Sequence, residues 1–403
     1  MSCRKLLACA KCGLCSTQRI TLMSETPPAV SYPYSPGYGP AFTDLRNVIQ
    51  ARFTVLDAFI DPNGIPTFVV HPGDTEERFK SVLEDFSRMN LVSSLRRDGD
   101  RLLIRVFTKP RMKPSRSGVN LVLLMVTLGT IFASGYFGFM NTPILRDVLL
   151  KDSNPYLQAG LFAVCLFGII GLHETGHLVA CRRYNLDFTL PYFIPGPPPF
   201  GTFGAVVSLR SAPTNRNQLF DLGFAGPFAG FIATVIISVI SFQLAIQVTL
   251  QQAIAWEEQK LIQQAFWPMY PYLFEILQPI VRPLPEGYSL ILTQVELAAW
   301  VGSLLTFLNI LPVWELDGGH ISRAVLGPRG HKVASAIGIL VLFATGYWFF
   351  GLFILFWMFA SKRGAAGAEP LDDVSPLSRS RKVFYIVTLL ITALCFVTVP
   401  YGL

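Results

Sequence analysis

From residue 119 onward the chain alternates long apolar runs with short polar connections. The runs cover 119–139, 157–180, 220–247, 291–313, 332–360 and 383–401. Each approaches or exceeds the roughly 20 residues that cross a bilayer as a helix. The 332–360 run is too long for one upright span and too short for two, so it predicts one tilted helix or a hairpin broken near Gly346. About six to seven spans are expected.

The first part of the chain has another rhythm. Residues 1–42 read as a disordered tail with cysteines followed by a Pro-, Ser-, Gly- and Tyr-rich linker, "SETPPAVSYPYSPGYGPAF". In 43–112, "ARFTVLDAFI" and "IPTFVVH" have strand character around the turn "DPNG". "GDTEERFKSVLEDFSRM" has helical spacing with Asp74 or Thr75 as cap, and "RLLIRVFT" follows the turn "RDGD" as a closing strand. The fold class expected is therefore a polytopic α-helical membrane protein with a small N-terminal α+β soluble domain. Residues 115–403 form its membrane-embedded part.

Composition agrees with that pattern. The 403 residues are 51% hydrophobic and only 15% charged, against about 25% charged in an ordinary soluble chain. The net charge of +7 calls for no nucleic acid, because Lys and Arg collect beside the cytoplasmic ends of spans. "RRDGDRLLIRVFTKPRMKPSR" before the first run places the soluble domain in the cytoplasm, and "CRRYN" after the second places that end there too. Cys165, Cys181 and Cys395 lie in or beside apolar runs and read as core residues. Cys3, Cys9, Cys12 and Cys15 are spaced for a metal knuckle, but a tail or a later start at Met23 is the preferred reading. No secreted disulfide framework is visible.

Against this background "FGIIGLHETGHLVA" (167–180) stands out. Ionisable groups at membrane depth are costly and mark function. On a helix, residues four apart share a face, so His173 and His177 can aim at one ion. H-E-x-x-H is the pattern of a zinc site whose glutamate is a general base, which here is Glu174. A third ligand must come from another span. The candidates are Glu315, Asp317 and His320 in "FLNILPVWELDGGH", whose end shares the cytoplasmic side.

Two other stretches fit a hydrolase. "LPYFIPGPPPFGTFGAVVSL" (190–209) has five prolines and cannot be helical, and its second half is suited to an extended edge. Such an edge would hold an unwound peptide by strand addition. Gly226 and Gly230 in "LGFAGPFAG" form a small-x-x-x-small pattern that reads as helix packing. Residues 248–290, with Trp256, Trp267, Tyr270 and Tyr272, suit the outer membrane interface.

The two polar motifs together resemble the site-2 protease family of intramembrane zinc metalloproteases. That family pairs H-E-x-x-H on one transmembrane helix with N-x-x-P-x-x-x-L-D-G on another, and Asn309, Pro312, Leu316, Asp317 and Gly318 fit the second pattern at every position. The likeness covers about 115–400 and is closest to the branch of cyanobacteria, chloroplasts and some archaea. That branch has an N-terminal soluble domain and no PDZ domain. The resemblance implies that His173, His177 and Asp317 bind one catalytic Zn2+ and that Glu174 is the base. It implies further that Asn309 holds substrate or oxyanion and that membrane-anchored proteins are cleaved in regulated intramembrane proteolysis. It also implies a multi-pass location in a prokaryotic cell membrane, or in a chloroplast membrane if the source is a plant or alga. The rival reading is an inactive zinc-binding membrane scaffold.

Overall fold

The structure is a computed structural model that describes residues 40–109, 117–207, 209–259, 261, 270–291, 293–360 and 368–397. The four N-terminal cysteines and the Pro-rich linker up to residue 39 lie outside the described residues, and Phe42, expected as the linker's end, opens a helix.

The N-terminal part opens with α1 (Phe42–Gln50), which is followed by β1 (Val55–Ile60), β2 (Pro66–Val70), α2 (Glu76–Arg88), β3 (Leu91–Asp98) and β4 (Arg101–Thr108). The strands form an antiparallel sheet in the order β1-β2-β4-β3. The Asp61 carboxylate accepts from the Asn63 and Ile65 amides at 2.9 Å each, which closes the first hairpin with Gly64 at positive φ. Alternate residues of the strands, including Phe68, Leu95 and Ile104, pack against Leu45 and Ile49 of α1 and Phe79, Val82 and Phe86 of α2. α1 and β3 were not anticipated. Thr75 is the residue before α2, as expected, yet its side chain does not cap the helix. Its hydroxyl instead lies 3.4 Å from that of Ser375.

The rest is mostly helical. α3 (Ser117–Met140), α4 (Pro155–Arg183) and α5 (Arg216–Leu244) are long and apolar enough to cross a membrane. At about 1.5 Å per residue even the shortest of them exceeds the ~30 Å hydrocarbon layer. Their outward faces carry exposed Leu121, Val122, Met125, Val164 and Ile236, which suits contact with lipid. α4 starts with Asn154, whose side chain accepts from the Tyr156 amide at 2.9 Å, and with Pro155 in the first turn.

Between α4 and α5 the proline-rich stretch forms a hairpin of β5 (Tyr192–Pro195) and β6 (Thr202–Val206). It is tied to α3 through Asn120, whose side-chain amide donates to Leu190 O at 2.8 Å, and Thr130, whose hydroxyl donates to Gly201 O at 2.7 Å. After α5 come β7 (Ile246–Thr249), α6 (Leu250–Glu258), α7 (Tyr272–Val281) and β8 (Tyr288–Ile291), with β7 and β8 paired.

α8 (Gln294–Ile310) has only 17 residues, and almost all are buried. It is the innermost helix of the bundle, sheathed by α4 and α5 among others. It is followed by α9 (Asp317–Ala344), α10 (Trp348–Ala360) and α11 (Arg379–Leu394). The helical run breaks at Gly346 (φ 87°), between α9 and α10. This is the position at which the hairpin alternative for 332–360 expects a break.

The segment before α11 joins the two parts of the molecule. The Leu95 amide donates to Leu371 O at 2.8 Å, and the Asp372 amide donates to Thr214 O at 2.7 Å. Residues 371–373 thus form a short extended link between the outer edge of β3 and the entry to α5. Arg323, 1% exposed on α9, makes a bidentate pair with Asp373 at 2.8 and 2.9 Å. Arg96 of β3 donates to Leu371 O at 2.8 Å and pairs with Glu369 at 3.1 Å.

Candidate metal centre

H-E-x-x-H sits in the last third of α4, where the i, i+4 spacing stacks His173 and His177 on one face. That face meets α5. The approach is close because Gly226 and Gly230 line the opposite side. A Cβ on Gly226 would collide with the His177 ring, and one on Gly230 would lie 3.1 Å from His173 Nδ1. Gly176 of α4 likewise abuts the Ala225 carbonyl. These glycines do serve packing, as their spacing suggested. What they pack against is the pair of histidine rings.

α8 ends at Ile310, and the turn through Pro312 and Trp314 leads into α9, whose first residue is Asp317. A Cβ on Gly318 would run into the Ile310 carbonyl, so the first turn of α9 lies directly against the end of α8. The Asp317 carboxylate then reaches both histidines. Oδ2 is 3.2 Å from His173 Nε2, and Oδ1 is 3.3 Å from His177 Nε2. The two Nε2 atoms are 3.1 Å apart. Among the described residues this is the one group of three possible metal ligands.

Glu315 and His320 line the same cavity but are not part of that group. His320 Nδ1 is engaged with Leu316 O at 2.9 Å. Glu174 is buried beside the ligand group and faces the cavity together with Asn309. The cavity has a volume of about 200 Å³ and is closed on another side by Ala205, Val206 and Val207 of the hairpin. A second hollow across β6 is lined by Ile169, Ile170, Leu305, Leu308 and Phe350.

The donor set fits a cation. His177 Nδ1 is 2.9 Å from Leu222 O, a contact that requires an N–H on that nitrogen. In its neutral form, the one that can bind a metal, His177 then turns its Nε2 lone pair toward the carboxylate and toward His173. Such electron-pair donors, 3.1–3.3 Å apart, repel one another unless positive charge lies between them. Two His and one carboxylate form a usual protein contribution to a catalytic zinc site. A backbone carbonyl behind the histidine is the usual way to fix its tautomer.

Comparison with known proteins gives the same direction. Residues 161–350 match Peptidase family M50. This stretch, just under half of the chain, is similar to that family. It contains α5, α8 and α9 whole, most of α4 and both motifs. The chain is 31% identical over 242 residues to the probable zinc metalloprotease EGY2, chloroplastic, of Oryza sativa subsp. indica, a match covering 56% of this chain and 43% of the relative. It is 27% identical over 243 residues to the protein of that name from Arabidopsis thaliana, with 56% and 42% covered. It is 25% identical over 312 residues to the probable zinc metalloprotease EGY1, chloroplastic, of Arabidopsis thaliana, with 70% and 53% covered. The chain thus spans about half the length of these relatives, or less. No solved structure matches it.

The α5 glycines and the Leu222 carbonyl that orient the two histidines were not legible as site residues. The one signal was the Gly spacing, which predicts a close helix contact without saying what is touched.

Proposed function

We propose that the protein is an intramembrane zinc metalloendopeptidase that cleaves membrane-anchored proteins in or near their transmembrane segments. The observation that carries this reading is the convergence of His173, His177 and Asp317 at the wall of a cavity that also holds Glu174. His173 and His177 through Nε2 and Asp317 through its carboxylate would hold one Zn2+. Bound there, zinc would supply Lewis-acid polarisation of a carbonyl and a more acidic water. Glu174 takes a proton from the attacking water and delivers it to the departing amine. Asn309, whose amide can donate, holds the substrate carbonyl as it gains charge. The exposed edge of β6 receives the unwound substrate as an added strand. An inactive scaffold would not require a buried carboxylate beside the ligands.

For topology, we infer seven crossings: α3, α4, α5, α8, the second half of α9, α10 and α11. The pairing of 371–373 with β3 supports this, because it requires the soluble domain and the α10–α11 connection to lie on one side of the membrane. A crossing by α9 and a return by α10 satisfy that requirement. The basic flanks make that side cytoplasmic, in a bacterial or a chloroplast membrane. Residues 43–112 act as a cytoplasmic domain docked on the protease.

The test is zinc analysis of the detergent-purified chain together with cleavage of membrane-anchored peptides. Stoichiometric zinc with cleavage abolished in Glu174→Gln is expected. Zinc-independent cleavage, or none from the zinc-loaded wild type against a broad panel, would refute the assignment.

A further inference from the structure

The loop from α8 to α9 contains a backbone feature that the zinc motif does not account for. Trp314 has φ +45°, a left-handed conformation that is strained for a bulky residue. Such a conformation persists only where its surroundings hold it.

What holds it comes from the far half of α9. That helix is interrupted at Gly327 (φ 70°, ψ −175°), followed by Pro328. Beyond the break, Ser335 is buried against the loop. Its hydroxyl donates to Pro312 O at 3.0 Å and accepts from the Trp314 amide at 3.2 Å. One side chain therefore satisfies a carbonyl and an N–H on either side of the turn. Gly338, one turn further, permits the approach, since a Cβ there would strike Val313. His331, 0% exposed, lies 3.5 Å from the Ser335 hydroxyl through Nε2 and 2.7 Å from the Ser322 hydroxyl through Nδ1. Ser322 in turn donates to Gly319 O at 3.0 Å, so Nδ1–H is the donor to Ser322, and with the Ser335 proton given to Pro312 O the Nε2 approach is a packing contact.

The loop and the first turn of α9 approach backbone to backbone at Gly319. A Cβ on Gly319 would collide with the Trp314 carbonyl. A displaced Trp314 therefore displaces the turn that bears Asp317. We propose that Ser335 is a positioning residue for the metal centre: it locks the strained Trp314 turn and so aims the Asp317 carboxylate at His173 and His177. This rests on the zinc reading above. A carbonyl or hydroxyl that orients a ligand from outside commonly sets metal affinity as well as activity.

The experiment uses the full chain in detergent, with zinc affinity measured by chelator competition and visible spectra taken after cobalt substitution. Ser335→Ala removes both bonds to the loop. Gly338→Ala pushes a methyl against Val313 and Pro312 of the loop. Ser241→Ala removes an equally buried hydroxyl on α5 that bonds only within its own helix. Both loop variants are expected to lose about 10-fold or more in zinc affinity with an altered cobalt spectrum, while Ser241→Ala stays within about twofold. An unchanged affinity and spectrum in either loop variant, or an equal loss in Ser241→Ala, would overturn the proposal. If the wild type takes up no zinc, or His173→Ala keeps it, the metal reading itself has failed, and the wild-type measurement reports that separately.

Discussion

His177 Nε2 on α4 lies 3.3 Å from Asp317 Oδ1 at the start of α9. The contact joins two motifs that are far apart in sequence, and it implies a division of labour. His173→Ala, His177→Ala and Asp317→Ala should each lose zinc and cleavage together. Glu174→Gln should keep near-normal zinc while cleavage falls by about 10² or more, the size of a lost general base. Metal content and single-turnover cleavage on the same preparations check this. Full zinc occupancy in Asp317→Ala would move the third ligand to Glu315 or His320.

The α5 glycines give a prediction that the motifs alone do not. A methyl on Gly226 would occupy the volume of the His177 ring, whereas one on Gly168 of α4 meets nothing within 4 Å. Gly226→Ala should therefore lose zinc and cleavage. Gly168→Ala should keep both and gain helix stability of up to about 1 kcal/mol. Equal behaviour of the two variants in metal analysis would show that the close approach of α4 and α5 has been misassigned.

The hairpin prediction concerns backbone rather than side chains. Val206 and Val207 face the cavity at the end of β6. If substrate adds to that edge, proline at either position should cut cleavage sharply without loss of zinc, because proline brings no donor to the ladder. Undiminished cleavage in both variants would remove strand addition from the mechanism.

Arg323 tests how the soluble domain is attached. Its guanidinium is buried and bonded to both oxygens of Asp373. Arg323→Met leaves that carboxylate with Arg216, whose Nε is 3.4 Å away. Removing one partner of a buried pair costs about 3 kcal/mol. The expected outcome is a lower unfolding temperature and faster proteolysis near residues 368–378. An unchanged digestion pattern would mean that the link is held elsewhere.

Topology can be read by labelling single cysteines. Ser94 is buried against β4 and is unsuitable, but Asp98, Arg182 and Glu286 are exposed. Cysteines at 98 and 182 should react only from the cytoplasmic side, and one at 286 only from the other. Reaction of the Asp98 position from outside would invert the orientation inferred from the basic flanks.

Much of the site was legible in one dimension because its chemistry is local. H-E-x-x-H fixes two rings on one helical face by the 3.6-residue period alone. "NILPVWELDG" announces a helix end, a break and a carboxylate. Apolar runs located α3, α4 and α5 to within a few residues, since burial in lipid demands an unbroken helix. The strands at 55–60, 66–70 and 101–108 followed from β-rich runs beside turn residues. α1 and β3 did not: "FTDLRNVIQ" is short and polar on average, and "LVSSLRRD" reads as a solvated stretch until its edge is paired.

What the sequence determined, then, was the inventory of ligands and the presence of spanning helices. Both depend on residue type and on spacing within one element. The resemblance already pointed to Asp317, but only the tertiary structure brings its carboxylate, rather than Glu315 or His320, to both histidine rings. That choice depends on where a strained turn points, and Ser335, one half-helix away, holds the turn. It also decided that two glycines on α5 abut the two histidine rings, and that 371–373 bridges the soluble sheet to the bundle. These relations are made between elements distant in the chain. They arise from close packing and shared backbone hydrogen bonds, which leave no periodic trace in a single sequence.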